Sequence, residues 1–444
     1  MHGIRLHVLL FVVFACRGLV LAGDSPPNVV LIISDDQAWT DYGFMGHAAI
    51  ETPHIDRLAG ESLLFDRGYV PSSICCPSLA SIITGQYPHR HRITGNEPPR
   101  PPGTGHADPG YQASVREMVD LVDECELLPK LLAAKGYLSL QTGKWWLGDF
   151  RRGGFTHGMT HGDPARGGRH GDEGLAIGRR TMQPIVDFIE EAGDQPFFIW
   201  YAPFLPHTPH DARQSLVDKY AARTESDSIA RYWANCEWFD ESCGELFEVL
   251  DRTGHASDTI VIYVTDNGWI QRPDGRRYAP RSKRSPYDGG LRTPIMIRWP
   301  GRLKAERVEI PVSSVDLAPT ILAACGIEPP SDMPGIDLLD RERIVERPAI
   351  FGEVHLHNAI DLHEPAANLT HRWCVSEGWK LIVPNPAVVP GDRIELFHLA
   401  EDPGELRDLA GAHPERVARM QAMIDDWWPA TIPTDEVIAP ATSE

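Results

Sequence analysis

Continuous apolar runs, rather than alternating apolar and polar positions, mark the buried strands of this chain. The segments Asn28–Ser34 (NVVLIIS) and Thr259–Thr265 (TIVIYVT) are rich in β-branched residues. Such runs are typical of strands that are covered on both faces of a parallel sheet. Two shorter runs, Phe197–Ala202 and 294–298, are further strand candidates.

Helical stretches separate these runs. Their patterns predict helices at 55–61, at 127–135, at 178–191 and from about 226 to 252. Strands that alternate with helices predict an α/β fold with a mostly parallel sheet flanked by helices. The sequence between 151 and 174 has no hydrophobic period and predicts a long loop.

The chain changes character after residue 330. Short predicted strands at 379–383 and 395–399 and a helix at 414–428 indicate a smaller α+β subdomain with a small antiparallel sheet. We therefore divide the chain into an N-terminal segment 1–22, an α/β domain 23–340 and a C-terminal subdomain 341–444.

Residues 1–22 are typical of a secretory signal peptide. Arg5 precedes an apolar run from Val8 to Ala15, and small residues precede a cleavage site after Ala22. A membrane anchor is the alternative, but this run is too short to cross a bilayer. We expect a periplasmic or secreted protein with no stable membrane insertion.

The charge balance bears on the partners. The formal net charge of −20 at pH 7 argues against a nucleic-acid partner. An acidic protein that binds an anionic substrate must concentrate cations locally. A cluster of basic residues in this chain is therefore a candidate anion-binding site.

Acidic pairs directly follow the two long apolar runs. Asp35, Asp36, Asp266 and Asn267 offer only oxygen ligands, which suits a hard cation such as Ca²⁺ or Mg²⁺. For either pair alone, capping of a helix or turn explains the residues equally well. Ligands of such folds gather where parallel strands end, so two pairs at strand ends favour a metal site.

Cys75 begins the segment 75–85 (CCPSLASIITG). Pro77 fits the first turn of a helix, which places Cys75 at the helix N-terminus, where an anion is stabilised. A buried structural thiol is the alternative for a lone cysteine. A thiolate is a poor match for a hard cation, whereas an oxygen nucleophile would suit the site.

Segment 75–85 resembles the Cys-x-Pro-Ser signature of the type I sulfatases, in the alkaline phosphatase superfamily. The resemblance runs from about residue 28 to 428, and further motifs follow in the order of that family. They are residues 52–56 (TPHID), 142–148 (TGKWWLG), 283–294 (KRSPYDGGLRTP), 315–320 (VDLAPT) and 395–403 (ELFHLAEDP).

The resemblance implies an alkaline phosphatase-like fold, a catalytic domain at 23–340 and hydrolysis of sulfate esters on a small molecule or glycan. In that family the signature cysteine, here Cys75, is oxidised by a formylglycine-generating enzyme. The implied mechanism is attack of formylglycine hydrate on sulfur. The implied roles are Ca²⁺ binding by Asp35, Asp36, Asp266, Asn267 and modified Cys75, sulfate binding by Lys144 and Lys283, and contact with the leaving-group oxygen by His207.

Two residues depart from the family pattern. Leu79 replaces an arginine that supports the nucleophile and is read by the maturation enzyme. The loss of one charge-assisted contact costs about 10- to 150-fold in rate. Trp146 replaces a histidine that assists proton removal, and a missing general base costs about 10²–10⁴-fold. We expect Trp146 to matter more for chemistry and Leu79 more for maturation.

The loop after Trp146 offers replacements for the lost groups. We hypothesise that one of its histidines enters the site, although a solvated glycine-rich loop is an equally good explanation. The candidates on this loop are Arg151, Arg152, His157, His161, Arg169 and His170.

Two rival functions stay open at the level of sequence. A phosphodiesterase or phosphonate hydrolase of the same superfamily would use the same metal site. A catalytically inactive member of the family would bind sulfated glycans without cleaving them.

Overall fold

The computed structural model describes residues 26–100, 103–162, 168, 170–275 and 277–430. The predicted signal segment 1–22 and Arg169 lie outside these residues. Within the described ranges the strands form two sheets, one of nine strands and one of four.

The large sheet contains the strands of the first three quarters of the chain. They are β1 (Asn28–Ser34), β2 (Leu63–Tyr69), β3 (Leu138–Gly143), β4 (His157–Gly158), β5 (Phe197–Ala202), β6 (Thr259–Thr265), β7 (Arg292–Arg298), β8 (Glu306–Val308) and β9 (Val312–Ser313).

The strand order is β4-β3-β5-β1-β6-β7-β2-β8, and β9 pairs with β2. From β4 to β6 every pairing is parallel, whereas β7 runs antiparallel to both of its neighbours. The predicted α/β fold with a mostly parallel sheet is therefore confirmed.

Helices cover both faces of this sheet. The α-helices of the described chain, including those of its C-terminal part, are α1 (Pro53–Gly60), α2 (Cys75–Thr84), α3 (Pro88–His91), α4 (Pro109–Asp120), α5 (Leu128–Ala133), α6 (Gln183–Ala192), α7 (Gln214–Ala221), α8 (Asp227–Arg252), α9 (Asp288–Leu291), α10 (Leu317–Ala324), α11 (Arg341–Glu346), α12 (Pro365–Asn368) and α13 (Pro414–Trp427).

The continuous apolar pattern of β1 reflects these two covers. Val29, Leu31 and Ile33 belong to one apolar cluster, together with side chains of α2, α5 and α10. Val30 and Ile32 belong to a second cluster with side chains of α1, α6 and α8. Because successive strand residues point to opposite faces, a strand between two helical layers has no position for a solvated side chain.

The small sheet is antiparallel, in the order β10 (Ile350–His355), β11 (Leu369–Ser376), β12 (Trp379–Pro384), β13 (Glu395–His398). α13 packs against β11 and β12. The predicted small sheet and closing helix are present, while the division of the chain near residue 340 stays a prediction. No helix in the described ranges is both long and apolar enough to cross a membrane.

Buried contacts tie the small sheet to the segments around Cys75 and Lys283. The backbone N–H of Glu353 donates to the carbonyl of Pro71 at 2.8 Å. Lys380 Nζ on β12 lies 2.8 Å from Asp288, at the start of α9, and 2.9 Å from Glu405. The small sheet therefore contacts both segments through a backbone hydrogen bond and buried ion pairs.

Candidate active site

The two acidic pairs meet because β1 and β6 are adjacent and parallel. Ser34 is in register with Thr265, so the residues that follow both strands emerge at the same edge of the sheet. The Asp36 N–H donates to Asp266 Oδ1 at 3.0 Å, and Asn267 Nδ2 donates to Asp36 Oδ1 at 2.6 Å. Asp36 has a φ of 62°, a strained conformation of the kind that clusters at functional sites.

Cys75 is the first residue of α2, as predicted. The helix is buried along its whole length, and Cys75 is only 4 % exposed. The N–H of the next residue, Cys76, donates to Asn96 Oδ1 at 2.8 Å, which satisfies one of the free donors at the helix start. The thiol therefore lies on a fixed backbone.

Two buried lysines reach into the cluster. Lys144, directly after β3, places its Nζ 2.7 Å from Asp35 and 3.3 Å from Asp266. Lys283 Nζ lies 2.6 Å from Asp36 Oδ1 and 3.2 Å from Cys75 Sγ.

His207 completes the cluster. Its Nε2 lies 3.4 Å from Asp36 Oδ2, and its Nδ1 donates to the carbonyl of Thr208 at 2.6 Å. The ring of Phe204 stacks on the imidazole, with the centroids 4.3 Å apart. The structure thus brings together all of the predicted site residues, namely Asp35, Asp36, Cys75, Lys144, His207, Asp266, Asn267 and Lys283.

Burial and mutual charge set the protonation of the lysines. Burial disfavours the charged form of Lys144, but Asp35, Cys75 and Asp266 outweigh it and raise the pKa of Lys144 well above its usual value. For Lys283, Asp36 and Cys75 likewise outweigh burial and raise the pKa. Both side chains are therefore cationic at neutral pH.

The acidic groups respond differently to the same surroundings. Burial, with Asp35 nearby, raises the pKa of Asp266 to about 7. Burial also acts on Asp36, but Lys283 and His207 overcome it and lower the pKa to about 2. Burial raises the pKa of the Cys75 thiol to about 12, so this side chain is not a thiolate at neutral pH.

The residues present fit a divalent cation. One ligand atom from each of Asp35, Asp36, Cys75 and His207 lies within 4.8 Å of the others. Within the described ranges, Asp36 Oδ2 and Asn267 Oδ1 are buried acceptors without a hydrogen bond. A buried acceptor without a partner costs about 1–3 kcal/mol, and a bound cation would remove that cost.

Leu79 and Trp146 both belong to the apolar cluster that covers one face of the large sheet. Leu79 is 2 % exposed and Trp146 8 % exposed. The Trp146 ring centroid lies 5.9 Å from Lys144 Nζ, within the range of a cation–π contact. Both residues at which we expect a departure from the family pattern therefore lie in the hydrophobic core.

The histidines of the loop after Trp146 separate into two groups. His157 Nε2 lies 3.1 Å from Glu191, and His161 Nε2 lies 3.5 Å from Glu173. His170 lies beside the cluster, with its ring centroid 6.4 Å from that of His207. Of these histidines, His170 is therefore the one that lies next to the predicted site.

The two arginines of this loop that the structure describes pair with acids. Arg151 pairs with Asp149, and Arg152 pairs with Asp120 and Asp123. Among the described candidates on this loop, His170 therefore remains as the replacement group that we hypothesise.

Asn96 is a site residue that the sequence did not reveal. It caps the nucleophile helix through Cys76, and its Nδ2 lies 3.4 Å from Nε2 of His357, just after β10. No motif marks this asparagine, because its role depends on the loop after α3, which folds back to the start of α2.

Comparison with known proteins agrees with the geometry. The fold and the cluster define an α/β protein with a buried cysteine beside an acidic cluster that fits a divalent cation. Residues 27–327 match the family described as Sulfatase, and residues 278–426 match "N-sulphoglucosamine sulphohydrolase, C-terminal". The chain therefore belongs to the sulfatase family of sulfuric ester hydrolases.

Individual relatives cover nearly the whole chain. It is 30 % identical to N-acetylgalactosamine-6-sulfatase of Sus scrofa, with 93 % of this chain and 87 % of that protein aligned. It is 28 % identical to human Arylsulfatase A, with 89 % and 86 % aligned. Among solved structures, Ps i-CgsB has the same fold, with a TM-score of 0.72 at 23 % identity over 92 % of this chain and 94 % of that one.

Proposed function

We propose that this protein is a periplasmic or secreted sulfatase that hydrolyses sulfate esters of carbohydrates. The observation that carries the proposal is the contact of Lys283 with both Cys75 and Asp36, which joins the nucleophile position to the metal site. The names of relatives support a sugar substrate, since they include N-acetylgalactosamine-6-sulfatase and Ulvan-active sulfatase.

In this proposal Asp35, Asp36, Asp266 and Asn267 hold Ca²⁺, with Mg²⁺ as the alternative ion. Their oxygen atoms suit a hard cation, and the buried cluster holds three carboxylates against two ammonium groups. The bound cation supplies stabilisation of negative charge on oxygen. The residues around it bind and orient the substrate.

Cys75 supplies the nucleophile after conversion to formylglycine by a maturation enzyme. The Sγ atom then marks the position of an oxygen of the modified side chain, which suits a hard cation better than sulfur does. The pKa of the unmodified thiol, about 12, supports this view, because the thiol is a poor nucleophile in these surroundings.

Lys144 and Lys283 hold the sulfate group. Both are fixed by carboxylates and stay protonated, so they present positive charge to the sulfate oxygens without reorganisation. His207 presents Nε2 to the same space, while the bond from Nδ1 to the Thr208 carbonyl fixes the ring. We assign His207 to contact with the leaving-group oxygen.

A comparison of substrates tests the reaction class. Purified protein is assayed with 4-nitrophenyl sulfate, with sulfated monosaccharides and with bis(4-nitrophenyl) phosphate. Turnover of the sulfate esters is expected to dominate. Faster turnover of the phosphodiester would instead favour a phosphodiesterase or phosphonate hydrolase.

Mass spectrometry of the peptide that contains Cys75 and Cys76 tests the nucleophile. An aldehyde at position 75 is expected in protein from the native host. Cys75→Ala should abolish turnover, whereas the matched control Cys76→Ala should keep it. Unmodified thiol at Cys75 in active protein would overturn the formylglycine assignment, and unmodified thiol in inactive protein would favour a glycan-binding role.

A further inference from the structure

A basic cavity lies beside the catalytic cluster. It has a volume of about 390 Å³, and no acidic residue lines it within the described part of the chain. We call it the basic pocket and define it by Arg272, Arg277, Tyr278, Arg281, Lys283 and Arg284. Five of these six side chains are cationic, in a protein whose formal net charge is −20.

The basic pocket adjoins the nucleophile through Lys283, which lines the cavity while its Nζ lies 3.2 Å from Cys75 Sγ. The next residue, Arg284, is attached to the loop between β2 and α2, because its N–H donates to the carbonyl of Ser73 at 2.9 Å. The Lys283 side chain alone therefore separates a ligand in the pocket from Cys75.

The backbone of the pocket is fixed in an uncommon shape. Arg281 and Arg284 have φ values of 60° and 67°, in the left-handed region that arginine rarely adopts. The side chain of Ser282 accepts the N–H of Ile270 at 2.6 Å, and the N–H of Ala279 donates to the carbonyl of Ile270 at 2.7 Å. Strain of this kind persists where surrounding contacts impose it, commonly at functional sites.

Two of the arginines have no acidic partner in the described ranges. Arg272 pairs with Asp274 at 2.8 Å, and Arg281 donates to the carbonyl of Glu405. Arg277 and Arg284 are exposed and form no ion pair with any described carboxylate. Since acidic side chains outnumber basic ones by 62 to 42 in this chain, two uncompensated guanidinium groups beside an active site require explanation.

An aromatic surface connects the pocket to the cluster. The ring of Tyr278 packs edge-on against Trp269 with the centroids 5.1 Å apart, and Lys283 Nζ lies 5.6 Å from the centroid of Trp269. An aromatic side chain next to guanidinium groups suits a ligand that has both an apolar face and an anionic substituent. A sugar ring that carries an oxyanion has both properties.

We infer that the basic pocket binds a second oxyanion, a sulfate or a carboxylate, on the same glycan whose sulfate ester lies at Cys75. The inference rests on the proposed function and extends it to multiply charged glycans. Guanidinium groups bind such oxyanions in bidentate geometry, and Arg277 and Arg284 are free to do so. Removal of both arginines should therefore weaken only those substrates that carry the second anion.

The test compares Arg277→Gln/Arg284→Gln with wild type. The control Arg416→Gln/Arg419→Gln removes the same charge from α13, where both arginines pair with Glu377. The pocket variant should raise the KM of a disulfated disaccharide about 5- to 20-fold and leave 4-nitrophenyl sulfate nearly unchanged. The control variant should match wild type on both substrates.

Binding provides a second measurement that does not need turnover. Isothermal titration of the Cys75→Ala protein with a disulfated disaccharide, and with a monosulfated disaccharide that contains a uronate, separates sulfate from carboxylate. The ligand for which the pocket variant loses affinity identifies the anion, sulfate or carboxylate, that the pocket binds. Equal affinities of the pocket variant and the parent protein for both ligands would overturn the inference. Absence of sulfate turnover in wild type would contradict only the proposed function.

Discussion

Lys283 Nζ lies between Cys75 Sγ, at 3.2 Å, and Asp36 Oδ1, at 2.6 Å. The Lys283 ammonium group therefore contacts both the proposed nucleophile, Cys75, and a proposed metal ligand, Asp36, whose pKa is lowered to about 2. Lys283→Ala should lower kcat/KM for a sulfate ester about 10²- to 10³-fold, because it removes a fixed positive charge from the developing oxyanion. Steady-state kinetics measure this. The exposed Lys304→Ala serves as control, and equal kinetics of the two variants would exclude the assigned role.

The metal site predicts a stability effect that does not depend on turnover. Added Ca²⁺ should raise the Tm of wild-type protein, since a ligand that binds only the folded state stabilises it. The increase should vanish in Asn267→Ala, which lacks an oxygen that has no hydrogen bond in the described structure. Differential scanning fluorimetry with and without a chelator gives both values. An equal Ca²⁺ response in the variant would remove Asn267 from the ligand set.

His170 is the loop histidine beside His207 and is the predicted replacement for the base that we expect to be missing at Trp146. His170→Ala should lower kcat about 10²-fold or more, because it removes that proposed base. His157→Ala, at a position where the ring contacts Glu191, should have little effect. Unchanged turnover in alanine variants at His157, His161 and His170 would refute the hypothesis of a replacement base.

Leu79 and Trp146 are the two expected departures from the family pattern, and both lie in the same large apolar cluster, so we predict that they compensate each other. Leu79→Arg should lower the free energy of unfolding by about 3–5 kcal/mol, because the guanidinium enters a core without an acidic partner. If the two departures compensate each other, Trp146→His should offset part of that cost. A double-mutant cycle in urea should therefore give an interaction energy above about 0.5 kcal/mol. Strict additivity would mean that the two substitutions are independent.

A buried group of acidic and imidazole side chains joins α3 to the small sheet. His89 Nδ1 lies 3.0 Å from Glu353 Oε1, and His355 Nε2 lies 3.7 Å from Glu353 Oε2. Burial lowers the pKa of His355 to about 4, although Glu353 opposes this, and lowers the pKa of nearby His91 to about 3. Burial opposes the ionisation of Glu353, but His89 and His355 lower its pKa overall.

These shifts give the pH dependence of stability. An imidazole with a pKa of 6.5 when unfolded and about 4 when folded binds its proton more readily in the unfolded chain, so stability falls as pH drops from 6.5 toward 4. His355 alone accounts for about 2 kcal/mol between pH 7.5 and pH 5. Urea unfolding at both pH values should show a loss smaller by that amount in His355→Met. The exposed His363→Met should behave like wild type, and parallel losses in all three proteins would contradict the prediction.

The strands that pattern analysis identified are those with continuous apolar sequences. β1 and β6 match their predicted bounds residue for residue. β3 (LSLQTG) was missed because its polar residues are buried and satisfied by tertiary contacts, such as the bond from Thr142 Oγ1 to the Trp200 carbonyl at 2.8 Å. Polar residues in a sequence predict solvent exposure, so a buried strand that contains them shows no apolar pattern.

The site was predictable to a different extent. Its eight residues were predicted from motifs, and the two pairs at Asp35–Asp36 and Asp266–Asn267 meet because β1 and β6 are adjacent, parallel and in register. Asn96 and the basic pocket were not predictable, since each depends on a loop returning to α2 or to Cys75.

The burial of α2 imposes an order of events on the life of the protein. Cys75 is 4 % exposed and Leu79 2 % exposed once the helix has packed. An enzyme that modifies Cys75 and reads position 79 has access to them only before that packing is complete. If Cys75 is converted as proposed, the fraction of active molecules depends on the competition between modification and folding of the nascent chain, and a slower-folding variant should be converted more completely.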